Sequence, residues 1–180
     1  MLPITVPEGE FWDEREERFV YTKQQTIVLE HSLVSLSKWE SKWCKPFLTK
    51  DEKTITEMLD YIKCMTITQN VSDIVYQRLT RENIEAIIEY MNAPMTATTF
   101  SNRGQRRQSR EQITAELVYY WMIAFNIPFE CQKWHLNRLI TLIRVCEIKN
   151  QKPKKRSNQD VLREYASINA ARRKMHNTKG

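Results

Sequence analysis

The spacing of apolar residues changes near His31, and this change constrains the fold more than any other feature of the sequence. Before it, Leu2, Ile4 and Val6 alternate with proline or threonine, which is typical of a short strand. After it, apolar residues recur three or four positions apart along most of the chain as far as residue 149, which is the period of amphipathic helices. The sequence therefore predicts a mainly α protein of the α+β class, with its strands confined to the first thirty residues.

Charge divides the chain in a second way. Nine of the 28 basic residues and two of the 22 acidic residues lie in residues 151–180, so this segment has a net charge of +7. Residues 1–150 hold the other 19 basic and 20 acidic residues and are nearly neutral. Charge segregated in this way is typical of a terminal segment that contacts an acidic partner. We therefore predict three parts: strands or a hairpin packed on the body in 1–30, a helical core domain in 31–150 and a basic amphipathic arm in 151–180.

Composition argues against several classes of protein. No run approaches the roughly 20 apolar residues that cross a bilayer, and the first residues lack the basic and apolar regions of a signal peptide. We therefore expect a soluble intracellular protein without membrane contact, whose four cysteines are reduced. The chain has three glycines, too few and too scattered for a phosphate-binding loop or a dinucleotide-binding fingerprint, and we expect no cofactor.

Local patterns predict where elements start and how they connect. The β-branched and aromatic runs at 19–22 and 26–29 are expected to be strands, and they plausibly pair as a hairpin. Thr49 and Glu52 have the spacing of a capping box, which predicts a helix start. Pro128 suits an early helical position, and a long helix is expected from there to about residue 149. A core helix before it is predicted by five apolar residues spaced three or four apart: Ile113, Leu117, Tyr120, Trp121 and Ala124.

Cys131 and His135 are the main candidates for a metal or catalytic site. They are four residues apart on a predicted helix, so they share one face, as a metal pair requires. A tetrahedral zinc site needs about two more ligands, and the sequence offers only scattered ones. Glu130 would complete a nucleophile, base and carboxylate set, but adjacency on one helix gives poor geometry for such a set. We expect core packing here and a protein that is not an enzyme.

Basic and aromatic clusters are the candidate partner-binding residues. Residues 93–108 read as a long loop, and the arginines in or beside it suit a contact with phosphates, a protein contact or simple solvation. The two indoles of the first helix suit the core or an interface, and the C-terminal arm combines a narrow apolar stripe with a basic end. The candidates are Trp39, Trp43, Arg103, Arg106, Arg107, Arg110, Tyr165, Ile168, Arg172, Arg173 and Lys174.

Particular strings of the chain carry a resemblance to known proteins. They are LEHSL at 29–33, SKWESKW at 37–43, KPF at 45–47, MTATTF at 95–100, YYWM at 119–122, PFECQKWHLNRL at 128–139 and NAARRK at 169–174. These strings resemble segments of small proteins from the tail-gene region of long-tailed bacteriophages, which are commonly taken to be tail assembly chaperones.

The resemblance implies a non-enzymatic protein that coats the long helical tape measure protein until tail-tube subunits polymerise around it. It implies tail proteins as partners, self-association, a place in the cytoplasm of the bacterial host and absence from the mature virion. It assigns no catalytic residue and no cofactor. The alternative is a DNA-binding or structural virion component that uses the basic arm at 151–180.

Overall fold

A computed structural model of the protein describes residues 1–13, 17–49, 51–100, 112–150 and 158–176. These residues form a mainly α protein with a small antiparallel β part, as the sequence predicts. The strands are β1 (Leu2–Val6), β2 (Gly9–Asp13), β3 (Arg18–Thr22) and β4 (Gln25–Leu29). The helices are α1 (Leu33–Trp43), α2 (Ile55–Met65), α3 (Asp73–Gln77), α4 (Arg81–Asn92), α5 (Ala115–Ala124), a 3₁₀ helix (Phe129–Lys133), α6 (Leu136–Asn150) and α7 (Asn158–His176). The chain forms two compact units, residues 1–147 and 148–180. None of the described helices is long and apolar enough to cross a membrane.

The four strands form one interrupted two-stranded ribbon. β1 pairs with β4 and β2 with β3, both antiparallel, and the numbers of paired residues always add to 31, from Leu2 opposite Leu29 to Asp13 opposite Arg18. The register is therefore the same on both sides of the interruption, which contains Pro7, a residue without an amide proton. The expected hairpin between 19–22 and 26–29 is wrong. Residue type identified both strands, but each pairs with an upstream segment rather than with the other: β4 pairs with β1, and β3 pairs with β2.

The proximal half of the ribbon, β1 and β4, belongs to the core. Ile4, Val6, Ile27 and Leu29 are buried on one face of this half. The outer edge of β4 is covered by the residues after α2, because the Glu30 amide donates to the Met65 carbonyl and the Ile67 amide to the Val28 carbonyl, each at 2.8 Å. An edge covered in this way is not available for pairing with another chain.

The distal half of the ribbon, β2 and β3, is held at its base by Arg78. The guanidinium of Arg78 donates to the carbonyls of Pro7 and Thr22, on either side of the interruption. A side-chain carbon at position 9 would lie 2.8 Å from Arg78 Nη2, so the close approach of the guanidinium depends on glycine there. We call the segment from Glu8 to Thr22 the β-arm.

The helical core is centred on aromatic packing between α1 and α2. Trp39 is 1% exposed, and its Nε1 donates to the Glu57 carbonyl at 2.9 Å. Phe47, from the connection after α1, stacks on Tyr61 of α2 with ring centroids 3.7 Å apart. Buried aromatic pairs of this kind contribute beyond the area that they remove from water.

The prediction of a capping box at Thr49 and Glu52 is wrong, because the N-cap of α2 is Thr54, five residues after Thr49. Thr54 and Glu57 repeat the same spacing, and they make the reciprocal bonds: Thr54 Oγ1 accepts from the Glu57 amide at 3.3 Å, and Glu57 Oε2 accepts from the Thr54 amide at 2.8 Å. The bond from the Thr54 amide, together with Lys45, lowers the pKa of Glu57 to about 2.

The long helix expected from Pro128 to residue 149 is also wrong, because the chain breaks at Trp134. The 3₁₀ helix ends at Lys133, Trp134 is extended, and α6 starts at Leu136. His135 causes the break: it pairs with Ser32 in an antiparallel bridge, and its Nδ1 accepts from the Asn137 amide at 3.3 Å, as a helix cap does.

Glu40 joins α1 to two distant parts of the chain. Its carboxylate is buried and accepts from the Phe47 amide at 2.8 Å and from the Ala115 amide, the first of α5, at 2.7 Å. Burial raises the pKa of Glu40, and the two amides act against that rise. Removal of the carboxylate would leave two buried donors without a partner, which is more costly than the net gain from forming such bonds.

We expect Glu40→Ala to lower the free energy of unfolding by about 3 kcal/mol, since charge-assisted bonds to two buried amides are lost. Urea denaturation followed by tryptophan fluorescence measures the change. Glu40→Gln keeps one acceptor and should lose less. Glu85→Ala, which removes an exposed ion pair with Arg81, is the control and should change the value by less than about 0.5 kcal/mol. A loss below about 1 kcal/mol for Glu40→Ala would contradict this role of the carboxylate.

Candidate functional site

Helix α5 presents apolar residues on both its buried and its outward face. Ala115, Val118 and Met122 are buried in the core, whereas Tyr120 and Ile123 are 62% and 61% exposed on the opposite side. The buried face of α5 is therefore rotated about the helix axis from the face that the sequence predicts. Of its members, Leu117 and Trp121 are half-buried, and the other three are exposed: Ile113, Tyr120 and Ala124. A helix that is apolar all round normally has a partner on more than one side.

The outward residues of α5 continue onto the 3₁₀ helix. The exposed ring of Phe129 lies 6.5 Å from that of Tyr119, and the Tyr119 hydroxyl donates to Gln132 Oε1 at 2.9 Å, which holds the tyrosine in place. We call Tyr119, Tyr120, Ile123 and Phe129 the α5 patch. Two exposed carboxylates, Glu116 and Glu130, lie next to it in sequence. An exposed apolar cluster with polar neighbours suits contact with another protein.

A buried polar network lies where α1 and α6 begin. The Tyr61 hydroxyl and His31 Nδ1 are 2.7 Å apart, and the His31 and His135 rings are 5.1 Å apart. His135 Nε2 donates to the Tyr90 carbonyl at 3.0 Å, since its Nδ1 accepts from the Asn137 amide. The Tyr90 hydroxyl donates to Glu30 Oε1 at 2.6 Å.

Burial keeps both imidazoles of this network neutral. Desolvation, with the neighbouring His135, lowers the pKa of His31 to about 3, and desolvation also lowers the pKa of His135. It raises the pKa of the Tyr61 hydroxyl, whose hydrogen bond to His31 is also buried. No buried side-chain nitrogen or oxygen of the described residues lacks a hydrogen-bond partner. The network therefore supports the fold, since its hydrogen-bonding groups are used within it.

The Cys131 and His135 pair does not share a helix face. Cys131 is buried in the 3₁₀ helix, and both ring nitrogens of His135 make hydrogen bonds to the backbone. Among the described residues there is no group of three or more His, Cys, Asp or Glu that could hold a metal ion.

The two predicted indoles lie in the core and at its border. Trp39 is buried and stacks with Trp43 at 6.0 Å between ring centroids. Trp43 is half-buried, and its Nε1 donates to Asp60 Oδ2 at 3.2 Å. The Nζ atoms of Lys42 and Lys45 lie 5.9 and 5.8 Å from the Trp43 ring. A partner can therefore reach Trp43 at this border, whereas Trp39 is used by the core.

The predicted residues of the C-terminal arm lie on α7. Tyr165 and Ile168 are exposed, and so are Arg172, Arg173 and Lys174 near the helix end. Basic residues in the last turn of a helix interact favourably with its dipole. The four predicted loop arginines lie outside the described residues: Arg103, Arg106, Arg107 and Arg110.

Sequence reasoning missed most of the α5 patch and all of the β-arm aromatics as site residues. Ile123 and Phe129 are exposed on the α5 patch, and Trp12, Phe19 and Tyr21 are exposed on the β-arm. The composition of α5 indicates that apolar residues must also lie on its outward face, since nine of the ten residues in AELVYYWMIA are apolar or aromatic. For the β-arm, alternation along a short strand does not tell which face is covered.

Comparison of the chain with protein-family models, curated proteins and solved structures finds no match.

We expect stability to fall as the pH falls from about 6.5 towards 3. The pKa of His31 is about 3 in the folded state and near 6.5 when unfolded, so in this window the unfolded chain binds the extra proton. His31 alone contributes a slope of up to about 1.4 kcal/mol per pH unit, and its stabilising effect is fully present above about pH 6.5.

Urea denaturation at several pH values tests this for wild type and His31→Asn, where the amide oxygen can still accept from Tyr61. In the variant, the slope of the free energy of unfolding against pH should be shallower, because close to one proton fewer is taken up on unfolding. His176→Asn, at the exposed end of α7, is the matched control and should leave the slope unchanged. Equal slopes for wild type and His31→Asn would contradict the neutral buried imidazole.

Proposed function

We propose that the protein is a non-enzymatic morphogenesis protein of a long-tailed bacteriophage. It acts as a tail assembly chaperone that binds the tape measure protein in the cytoplasm of the bacterial host, and it is absent from the mature virion. The resemblance of the strings between Leu29 and Lys174 supports the identity of the partner. The α5 patch supports the mode of binding.

The α5 patch is the observation that carries the proposal. Tyr120 and Ile123 project from a helix whose opposite side is fixed in the core, and Tyr119 is held by Gln132. The backbone of the patch and the Tyr119 side chain are therefore preorganised, which reduces the entropy that is lost when a partner covers them. Its core side also keeps α5 from moving away when a partner binds.

A long helical protein is a suitable occupant for this surface. A partner helix with apolar residues three or four apart can pack its ridge beside Tyr120 and Ile123, as helices do in globular proteins. The exposed carboxylates of Glu116 and Glu130 lie beside the patch in sequence and stay in water at the border of such a contact. Contacts of this kind keep an otherwise exposed apolar stripe of the partner from aggregating.

We expect Tyr120→Glu combined with Ile123→Glu to reduce capture of the tape measure protein at least tenfold. Two carboxylates would be buried against an apolar helix without partners, which is strongly unfavourable. The measurement is the ratio of the two proteins after affinity purification of the tagged chain from cells that co-express the tape measure protein of the same phage.

Ile55→Glu is the matched control, because Ile55 is 81% exposed at the first position of α2, where a carboxylate is tolerated. It should capture as much tape measure protein as wild type. The proposal is wrong if wild type captures none, or if the double variant captures as much as the control.

The basic arm favours a second candidate, a DNA-binding or structural virion component. The segment 151–180 has a net charge of +7, and three basic residues lie together at 172–174 on α7. DNA binding through this arm would weaken steeply as salt increases. A chain that lacks residues 151–180 and retains DNA as well as wild type would contradict this candidate.

A further inference from the structure

The β-arm exposes an aromatic face. Trp12 and Phe19 are opposite each other across the two strands, with ring centroids 5.0 Å apart, and they are 46% and 68% exposed. Tyr21 is two residues from Phe19 on the same strand and therefore on the same face. Three exposed aromatic rings on one face of a two-stranded ribbon are more than isolated surface residues and mark a contact surface.

Carboxylates border this face. Glu10 is opposite Tyr21 in the ladder, and so shares the face, and Glu8 Oε2 accepts from the Tyr21 hydroxyl at 2.7 Å. The hydrogen bond to Glu8 raises the pKa of Tyr21, so this hydroxyl remains a donor in neutral solution. In sequence, residues 8–18 hold six carboxylates and two arginines, a net charge of −4. Because Glu8 and Glu10 lie at the aromatic face, an occupant that is both apolar and basic complements it.

Helix α7 has both properties. Leu162, Tyr165 and Ile168 are exposed and follow each other at intervals of three residues, and Arg172 and Arg173 lie one to two turns beyond them. The apolar residues span about 9 Å along the helix at about 1.5 Å per residue. The aromatic face of the β-arm spans about 7 Å from Glu10 to Trp12 at about 3.3 Å per residue. The two exposed surfaces are thus similar in length and opposite in charge.

We propose that α7 of one copy docks on the aromatic face of the β-arm of a second copy. Each chain carries one acidic aromatic face and one basic apolar helix, so the contact is head-to-tail, and a docked pair still offers one free surface of each kind. The chain therefore forms concentration-dependent oligomers. This contact uses neither the α5 patch nor the core.

Sedimentation velocity of the full chain over a range of concentrations tests the proposal. Wild type should associate, and raising the salt from about 50 to about 500 mM should weaken association at least tenfold, because the charges are exposed and screened. Trp12→Thr with Phe19→Thr should also reduce association at least tenfold. Circular dichroism shows whether this variant keeps the wild-type helix content.

Tyr120→Thr with Ile123→Thr is the matched control, since it removes an equally exposed aromatic and apolar pair from the α5 patch. It should associate as wild type does. This control should also capture less tape measure protein, whereas the Trp12 and Phe19 variant should capture as much as wild type. The two measurements therefore test self-association and tape measure binding separately.

Charge reversal distinguishes docking between copies from docking within one chain. Glu8→Lys with Glu10→Lys, and separately Arg172→Glu with Arg173→Glu, should each remove self-association. An equal mixture of the two should associate, because the unaltered acidic face of one variant meets the unaltered basic helix of the other. The proposal is overturned if wild type stays monomeric at all concentrations, if the β-arm variants associate as wild type does, or if the mixture stays monomeric.

Discussion

The fold depends on one buried junction, where the chain before α1 meets the chain before α6. Ser32 and His135 pair in a bridge, and the Leu136 amide donates to the His31 carbonyl at 2.8 Å. The same residues start the two helices, because Ser32 caps α1 and His135 Nδ1 accepts from the Asn137 amide of α6. Two helices that are far apart in sequence therefore begin at a single point. Neutral imidazoles make this possible, since a charge on His31 would be buried beside the imidazole of His135.

Hydrogen bonds of tyrosine hydroxyls attach two further helices, α2 and α4, to this junction. Tyr61 brings α2 to His31, and Tyr90 brings α4 to the carboxylate of Glu30 at the end of β4. Satisfied buried bonds of this kind fix the relative positions of elements more narrowly than apolar contacts alone. The proximal ribbon, α1, α2, α4 and α6 are thus positioned together. The two outward-facing surfaces, the α5 patch and the β-arm, lie outside this hydrogen-bonded part.

The helices were largely predictable from the sequence, whereas their connections and exposed faces were not. The apolar period of three or four residues predicted helices after His31, and alternation predicted the strand at 2–6, because these patterns follow from which side is buried. The partner of the strand at 19–22 was missed, because its pairing with β2 depends on a register that local residue type does not encode. The break at Trp134 was missed because it accompanies the pairing of His135 with Ser32, a residue that is close in space but distant in sequence. The outward face of α5 was missed because nearly every position there is apolar, so periodicity does not select one side.

The interruption of the ribbon at Pro7 divides it into a buried part and an exposed part. On its proximal side the ladder is part of the core, and on its distal side the strands carry exposed aromatic rings. The register is the same on both sides, yet the ladder bonds stop between them, and Arg78 bonds to the carbonyls that flank the gap. The guanidinium therefore takes the place of ladder bonds across the gap, so that a side chain from outside the ribbon ties the exposed strands to the buried ones.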